Sequence, residues 1–148
     1  KYFGDVESVD NLYADNSLGI NDELTSDGMY AVNVNGQKVY GTTIYKGTGK
    51  GSDVYLYKGA FVSKEELYLS MGHEYIHANL NAAGYIGRTN IIRKQHHAWI
   101  YDWQTTQAWK WGINQSYYVG GNSSYYANFK SVNKWGKYMF PIKDKKPW

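Results

Sequence analysis

The chain has 148 residues, 43% of them hydrophobic and 20% charged, a size and balance that fit one globular domain burying about two-thirds of its unfolded surface. A formal charge of +3 spread along the sequence leaves no electrostatic footprint for nucleic acid, and no apolar run reaches the roughly eighteen residues that a membrane-spanning helix needs. Cysteine is absent, which excludes a disulfide framework, a thiolate metal site and a cysteine nucleophile; any metal must be held by nitrogen and oxygen.

With 16 Tyr, 6 Trp and 4 Phe, core packing must be largely aromatic, and every buried tyrosine hydroxyl needs a partner. Lys1 is not an initiator residue and no charged-then-apolar signal segment follows it, so the sequence reads as a processed or excised piece of a longer protein.

Residues 1–28 are rich in Asp, Asn, Ser and Gly without a sustained apolar period, which predicts an irregular or partly helical opening. Residues 30–34 and 37–40 alternate around Asn35-Gly36, the signature of a β-hairpin closed by a two-residue turn. Residues 42–45 extend its second strand, and 47–51 form a flexible turn. A further β-branched and aromatic strand over 53–57 runs into Gly59-Ala60-Phe61. Ser63-Lys64-Glu65-Glu66 is a capping box, and it predicts a helix over 64–83 with Gly84 as its stop. Thr89 then caps a second helix over 90–111, ended by Gly112. Residues 113–148 read as loops with one short hairpin or helix, anchored by Trp135, Tyr138, Met139 and Phe140.

All four histidines fall between residues 73 and 97, and the first two frame His73-Glu74-Tyr75-Ile76-His77, the spacing H-E-x-x-H. On a helix, residues i and i+4 share a face, so His73 and His77 can close on one Zn²⁺ ion. Glu74 is displaced around the helix yet near enough to take a proton from a metal-bound water, as the general base of a hydrolase. The plainer reading is a surface helix carrying two solvated histidines and an ordinary glutamate. A catalytic zinc needs a third ligand and an open position, and the second helix offers His96 and His97, about 100° apart on its wheel. His97 shares its face with Arg93, Ile100, Tyr101, Gln104 and Ala108, a mixed lining suited to a site wall. His96 aligns with Ile92, Ile100, Trp103 and Gln107, a more core-like face. His97 is therefore favoured as the ligand, with His96 the alternative and the other histidine a supporting or packing group. Tyr101, one turn beyond His97, is placed to hydrogen-bond a ligand or a developing oxyanion, or to be a core tyrosine. The strand over 55–61, just before the motif helix, would lie along the cleft and take an extended peptide by strand addition.

The motif on a capped helix, with strands before it and a ligand-bearing helix after it, resembles the zincin metallopeptidases. The run Lys58-Gly59-Ala60-Phe61, then Ser63, Leu67-Tyr68 and Met71-Gly72-His73-Glu74, is similar to C-terminal metallopeptidase toxin domains of bacterial Rhs/YD-repeat polymorphic toxin proteins, over about residues 52–104. In those domains the second helix brings a glutamate as third ligand; in His96-His97-Ala98-Trp99-Ile100-Tyr101-Asp102-Trp103 its place is taken by His97, while Tyr101 and Trp103 agree. The resemblance implies one α+β domain over 1–148, a small antiparallel or mixed sheet packed on the motif helix and a second ligand-bearing helix. It further implies a Zn²⁺ peptidase acting on a peptide or protein substrate, secreted or delivered out of a bacterial cell to the extracellular space or cell surface, with a cognate immunity or inhibitor protein. Two other functions fit the same residues: a zinc-dependent cell-wall amidase, and a non-catalytic carbohydrate- or protein-binding module built on the Tyr- and Trp-rich surface.

Overall fold

The computed structural model describes residues 8–19, 22–33, 36, 38–47 and 50–86, then Ile92, Arg93, His96, His97, Ile100, Tyr101, Trp103, Gln104, Gln107, Trp111 and Gly112. The expected Thr89 cap and the C-terminal aromatic anchors lie outside them. The class is α+β: two three-stranded sheets, one mixed and one antiparallel, and a long helix.

The opening segment contains strands where none was expected. Strand β1 (Val9–Tyr13) pairs in parallel with β6 (Ser52–Leu56), and β2 (Glu23–Leu24) pairs antiparallel with β3 (Ala31–Val32). The middle of β1 is exposed, so its sequence lacks apolar alternation. Its order comes from a partner some forty residues away, helped by an Asn11 amide bond to Asp53 of 2.9 Å and by Lys46 bridging Asp10 and Asp53.

The hairpin forms, with a different register. Strand β3 pairs with β4 (Lys38–Val39), Ala31 opposite Val39 and Val32 opposite Lys38. A two-residue turn at Asn35-Gly36 would set Val32 opposite Val39, so the register is shifted by one residue. The Gly36 amide donates to the Asn33 carbonyl at 2.9 Å and Gly36 has φ +75°, which places the left-handed residue at the end of the turn. The second strand does not continue either. It breaks at Tyr40, and β5 (Gly41–Tyr45) joins the other sheet, antiparallel to β6.

Strand β6 is thus central, in the order β1-β6-β5. Its backbone is committed on both sides, and residues Lys58–Phe61 turn into a 3-10 helix. The expected docking of a peptide on 55–61 is therefore wrong: a central strand has no donors to give.

Helix α1 (Lys64–Ala82) starts where Ser63 accepts the Glu66 amide at 3.0 Å; the Glu66 carboxylate takes the Ser70 hydroxyl. It ends in a Schellman turn, with Gly84 N–H bonded to Asn81 and Tyr85 N–H to Leu80, and Gly84 at φ +96°. The described positions from Ile92 to Gln107 are all helical, and Trp111 N–H closes on the Gln107 carbonyl at 2.8 Å. Val54 and Leu56 of β6 meet Leu69, Ile76 and Leu80 of α1 and Ile100 and Trp103 of this second helical segment in one buried cluster. The helix α1 is sandwiched between sheet and second segment, which is why its buried residues surround it rather than form one stripe. Buried Tyr57 meets the hydroxyl requirement by donating to Asp22 at 2.8 Å, while Gly19 N–H bonds back to it. Among the described residues no helix is long and apolar enough to cross a membrane.

An alanine Cβ at Gly84 would touch nothing within 4 Å, so Gly84→Ala bears only the left-handed backbone penalty. A loss of about 1–2 kcal/mol in urea unfolding is expected.

Candidate metal centre

His73 and His77 sit mid-helix on the face of α1 turned to the second segment, their ring centroids 5.0 Å apart. His97 closes the triangle at 5.5 Å from His73 and 5.0 Å from His77, and one ring nitrogen from each of the three lies within 4.8 Å of the others. His96 is buried, as are Ile100, Trp103 and Gln107; its ring lies 5.2 Å from that of His77, but it is not one of the three histidines whose ring nitrogens converge. Of the two candidate histidines, His97 joins the cluster. Tyr101 stacks on His97 at 5.2 Å and 12° and lies 5.8 Å from the His73 ring, so its ring borders the cluster.

This meeting depends on Gly72. An ideal Cβ there would lie 1.9 Å from Trp103 Cη2 and 2.5 Å from Cζ3. The indole occupies the space a side chain would need, which draws the second segment against α1 one residue before His73. A glycine inside a helix costs about 1 kcal/mol relative to alanine; its presence next to the motif was the signal that a backbone must be approached closely here.

Two of the cluster's rings are held from behind. His73 Nδ1 is 3.2 Å from Gln104 Oε1, and Gln104 Nε2 is 3.4 Å from the Leu69 carbonyl. A carbonyl only accepts, so Leu69 fixes the amide with Nε2 outward and Oε1 toward His73. His73 Nδ1 must then carry the proton, and Nε2 keeps a bare lone pair. His77 Nδ1 is 2.9 Å from His96 Nδ1, and His96 Nε2 meets the Tyr85 carbonyl just past the Schellman turn.

Glu74 projects from α1 toward β5. The Thr43 hydroxyl donates to its Oε2 at 2.6 Å and lies 3.0 Å from its main-chain carbonyl. The other oxygen, Oε1, is 4.0 Å from His73 Nε2. Gly41 makes room for this side chain, since a Cβ there would stand 2.9 Å from Glu74 Cγ. Neither Thr43 nor Gly41 carries a sequence signal, because the contact joins residues more than thirty positions apart across a sheet switch. Burial pushes the Glu74 carboxyl up to about 8, opposed by the Thr43 hydrogen bond. Burial pushes His73 down to about 4 and His97 down to about 3, and holds His77 well below the usual imidazole range. The centre therefore keeps three neutral imidazoles near neutral pH, the form that binds a metal ion.

Comparison with protein-family models, curated proteins and solved structures gave no match.

Replacing Gly72 by alanine should cost roughly 1–3 kcal/mol by overpacking and move Trp103, and His97 with it, away from α1. Urea unfolding and zinc titration of G72A should both register the change. In chelator-treated protein, stability should fall as pH drops below about 6.5, because the unfolded chain takes up protons that His73, with a folded value of about 4, and His97, at about 3, refuse. Glu74 acts with the opposite sign: its value of about 8 against the ordinary 4.5 makes stability decline as pH rises between them. The lowered imidazoles outnumber the single raised carboxyl on the acid side, so urea midpoints should peak near pH 6.5, a level set by the ordinary histidine value. Glu74→Gln should flatten the alkaline limb and steepen the acid limb above pH 4.5, the ordinary carboxyl value.

Proposed function

We propose that this chain is a zinc-dependent peptidase domain of zincin-like fold, in which His73, His77 and His97 hold the metal and Glu74 is the general base. One observation carries the reading: a buried carboxylate stands 4.0 Å from an imidazole of a three-histidine cluster, with one oxygen tied and the other turned to the cluster.

The residues fit a zinc ion by their chemistry. Three neutral nitrogen donors from two elements are a common catalytic set and leave a coordination position for water or substrate. Bound there, zinc would lower the pKa of a water ligand from 15.7 toward about 7 and polarise a substrate carbonyl. Glu74 Oε1 takes the proton from the attacking water and returns it to the leaving amine. Thr43, by occupying Oε2, decides which oxygen does so. Tyr101, stacked on His97, supplies a hydroxyl near the developing oxyanion. With β6 committed, β5 is the strand beside Glu74 and an outer strand of its described sheet, so an extended peptide adding there would pass the base.

The likeness of residues 52–104 to Rhs-associated toxin domains supports placing this peptidase as a secreted or delivered bacterial effector with a cognate immunity protein. Cell-wall amide hydrolysis would use the same groups, and mass spectrometry of peptide and wall-fragment digests separates the two substrates.

Glu74→Gln should keep its zinc and lose about 10²–10⁴-fold in peptide turnover, whereas His97→Ala should lose the zinc itself. Turnover in E74Q equal to that of the parent chain would remove Glu74 from the mechanism.

A further inference from the structure

The adjacent pair His96-His97 divides its work. His97 faces the cluster, while His96 is 1% exposed and bonded on both ring nitrogens, Nδ1 to His77 Nδ1 at 2.9 Å and Nε2 to the Tyr85 carbonyl. The protons of this chain can be assigned from its far end. A peptide carbonyl only accepts, so His96 Nε2 carries a proton. A neutral imidazole has a single N–H, so His96 Nδ1 is an acceptor. The proton in the contact between the two rings then belongs to His77 Nδ1, and His77 Nε2 is left with its lone pair.

We infer that His96 is a positioning residue for the metal centre: through its bond to Tyr85 it fixes His77 as the Nδ1–H tautomer, with Nε2 as the ligand atom. The inference rests on the metal-binding reading above only for its purpose; the tautomers are properties of the protein without metal.

The same logic runs in parallel on His73, where the Leu69 carbonyl fixes Gln104 and Gln104 fixes the ring. Each α1 histidine is thus oriented by a side chain of the second segment that is itself oriented by a main-chain carbonyl at or beyond α1. For His77 that carbonyl belongs to Tyr85, whose own N–H closes the Schellman turn on Leu80. The end of the motif helix and the protonation of its second histidine are therefore connected through two residues. An outer partner of this kind holds the ring's rotation as well as its tautomer, and losing one typically weakens metal binding about 10–100-fold.

The first test uses the parent chain. Nitrogen-15 spectra of the histidine rings in chelator-treated protein near neutral pH should show His96 as the Nε2–H tautomer and His77 and His73 as Nδ1–H. A His96 ring protonated on Nδ1, alone or together with Nε2, overturns the inference, and this outcome is readable even if the protein binds no zinc, a result that would instead defeat the metal reading. The second test is zinc affinity by competition with a chromophoric chelator. His96→Leu should still bind a single zinc, about 10–100-fold more weakly. His96→Gln should return to within a few-fold of the parent, because an amide can accept from His77 and donate to Tyr85. Unchanged affinity in H96L shows that His96 positions nothing, abolished binding equal to that of H97A makes it a ligand, and a glutamine as weak as the leucine denies the hydrogen-bond role; each of these overturns the proposal.

Discussion

The centre exists because Gly72 lacks a side chain. Trp103 fills the volume a Cβ would take, and that contact fixes how closely the second helical segment lies against α1. Everything that segment contributes arrives with it: His97 to the cluster, Gln104 behind His73, His96 behind His77. Packed interiors do not deform continuously, so a contact of this kind acts as a locating pin. The same indole belongs to the core cluster that joins β6, α1 and the second segment. The packing that stabilises the domain and the packing that assembles the centre are one.

The two flanks of α1 then impose different chemistry on neighbouring residues. On the side of the second segment, carbonyl oxygens at the ends of short hydrogen-bonded chains dictate where imidazole protons sit. On the side of β5, a hydroxyl donor occupies one oxygen of a carboxylate and a glycine makes room for it. His73 and Glu74 are adjacent in sequence, about 100° apart on the helix, and so fall under separate controls. That separation lets a cluster of imidazoles and a buried carboxylate stand side by side under different partners.

The legible parts of the sequence were those set by local chemistry. Ser63 and Gly84 bracket α1 because a cap hydroxyl and a left-handed residue act within a turn of where they stand. The helix-face argument also placed His97, and not His96, with His73 and His77, while His96, Ile100, Trp103 and Gln107 are buried. Non-local features were hidden. Strand β1 is polar and exposed along its middle, so only its pairing with β6 reveals it. The hairpin register turned on a one-residue difference in turn form, and the passage from β4 to β5 looks like a continuous strand until the two are seen in different sheets. Thr43 and Gly41 owe their roles to that switch. Gly72 stood in plain view: a glycine at mid-helix beside a motif is a request for close approach, although the sequence does not name what approaches.

Burial works against every charged form at this centre. It raises the Glu74 carboxyl to about 8 and lowers His73 and His97 to about 4 and about 3. These displacements have opposite signs on the pH axis but one common cause, the cost of taking charge out of water. A divalent cation at the three imidazole nitrogens would address both. It would take the lone pairs that protonation would otherwise need, at no cost to rings already neutral, and its charge would favour the ionised form of Glu74, whose Oε1 is 4.0 Å from His73 Nε2. Filling the site and generating the base would then be a single linked event. The arrangement of Thr43 fits this order: a hydroxyl donor to Oε2 helps the ionised form, while Oε1, on the imidazole side, is the oxygen that a bound cation would bear on.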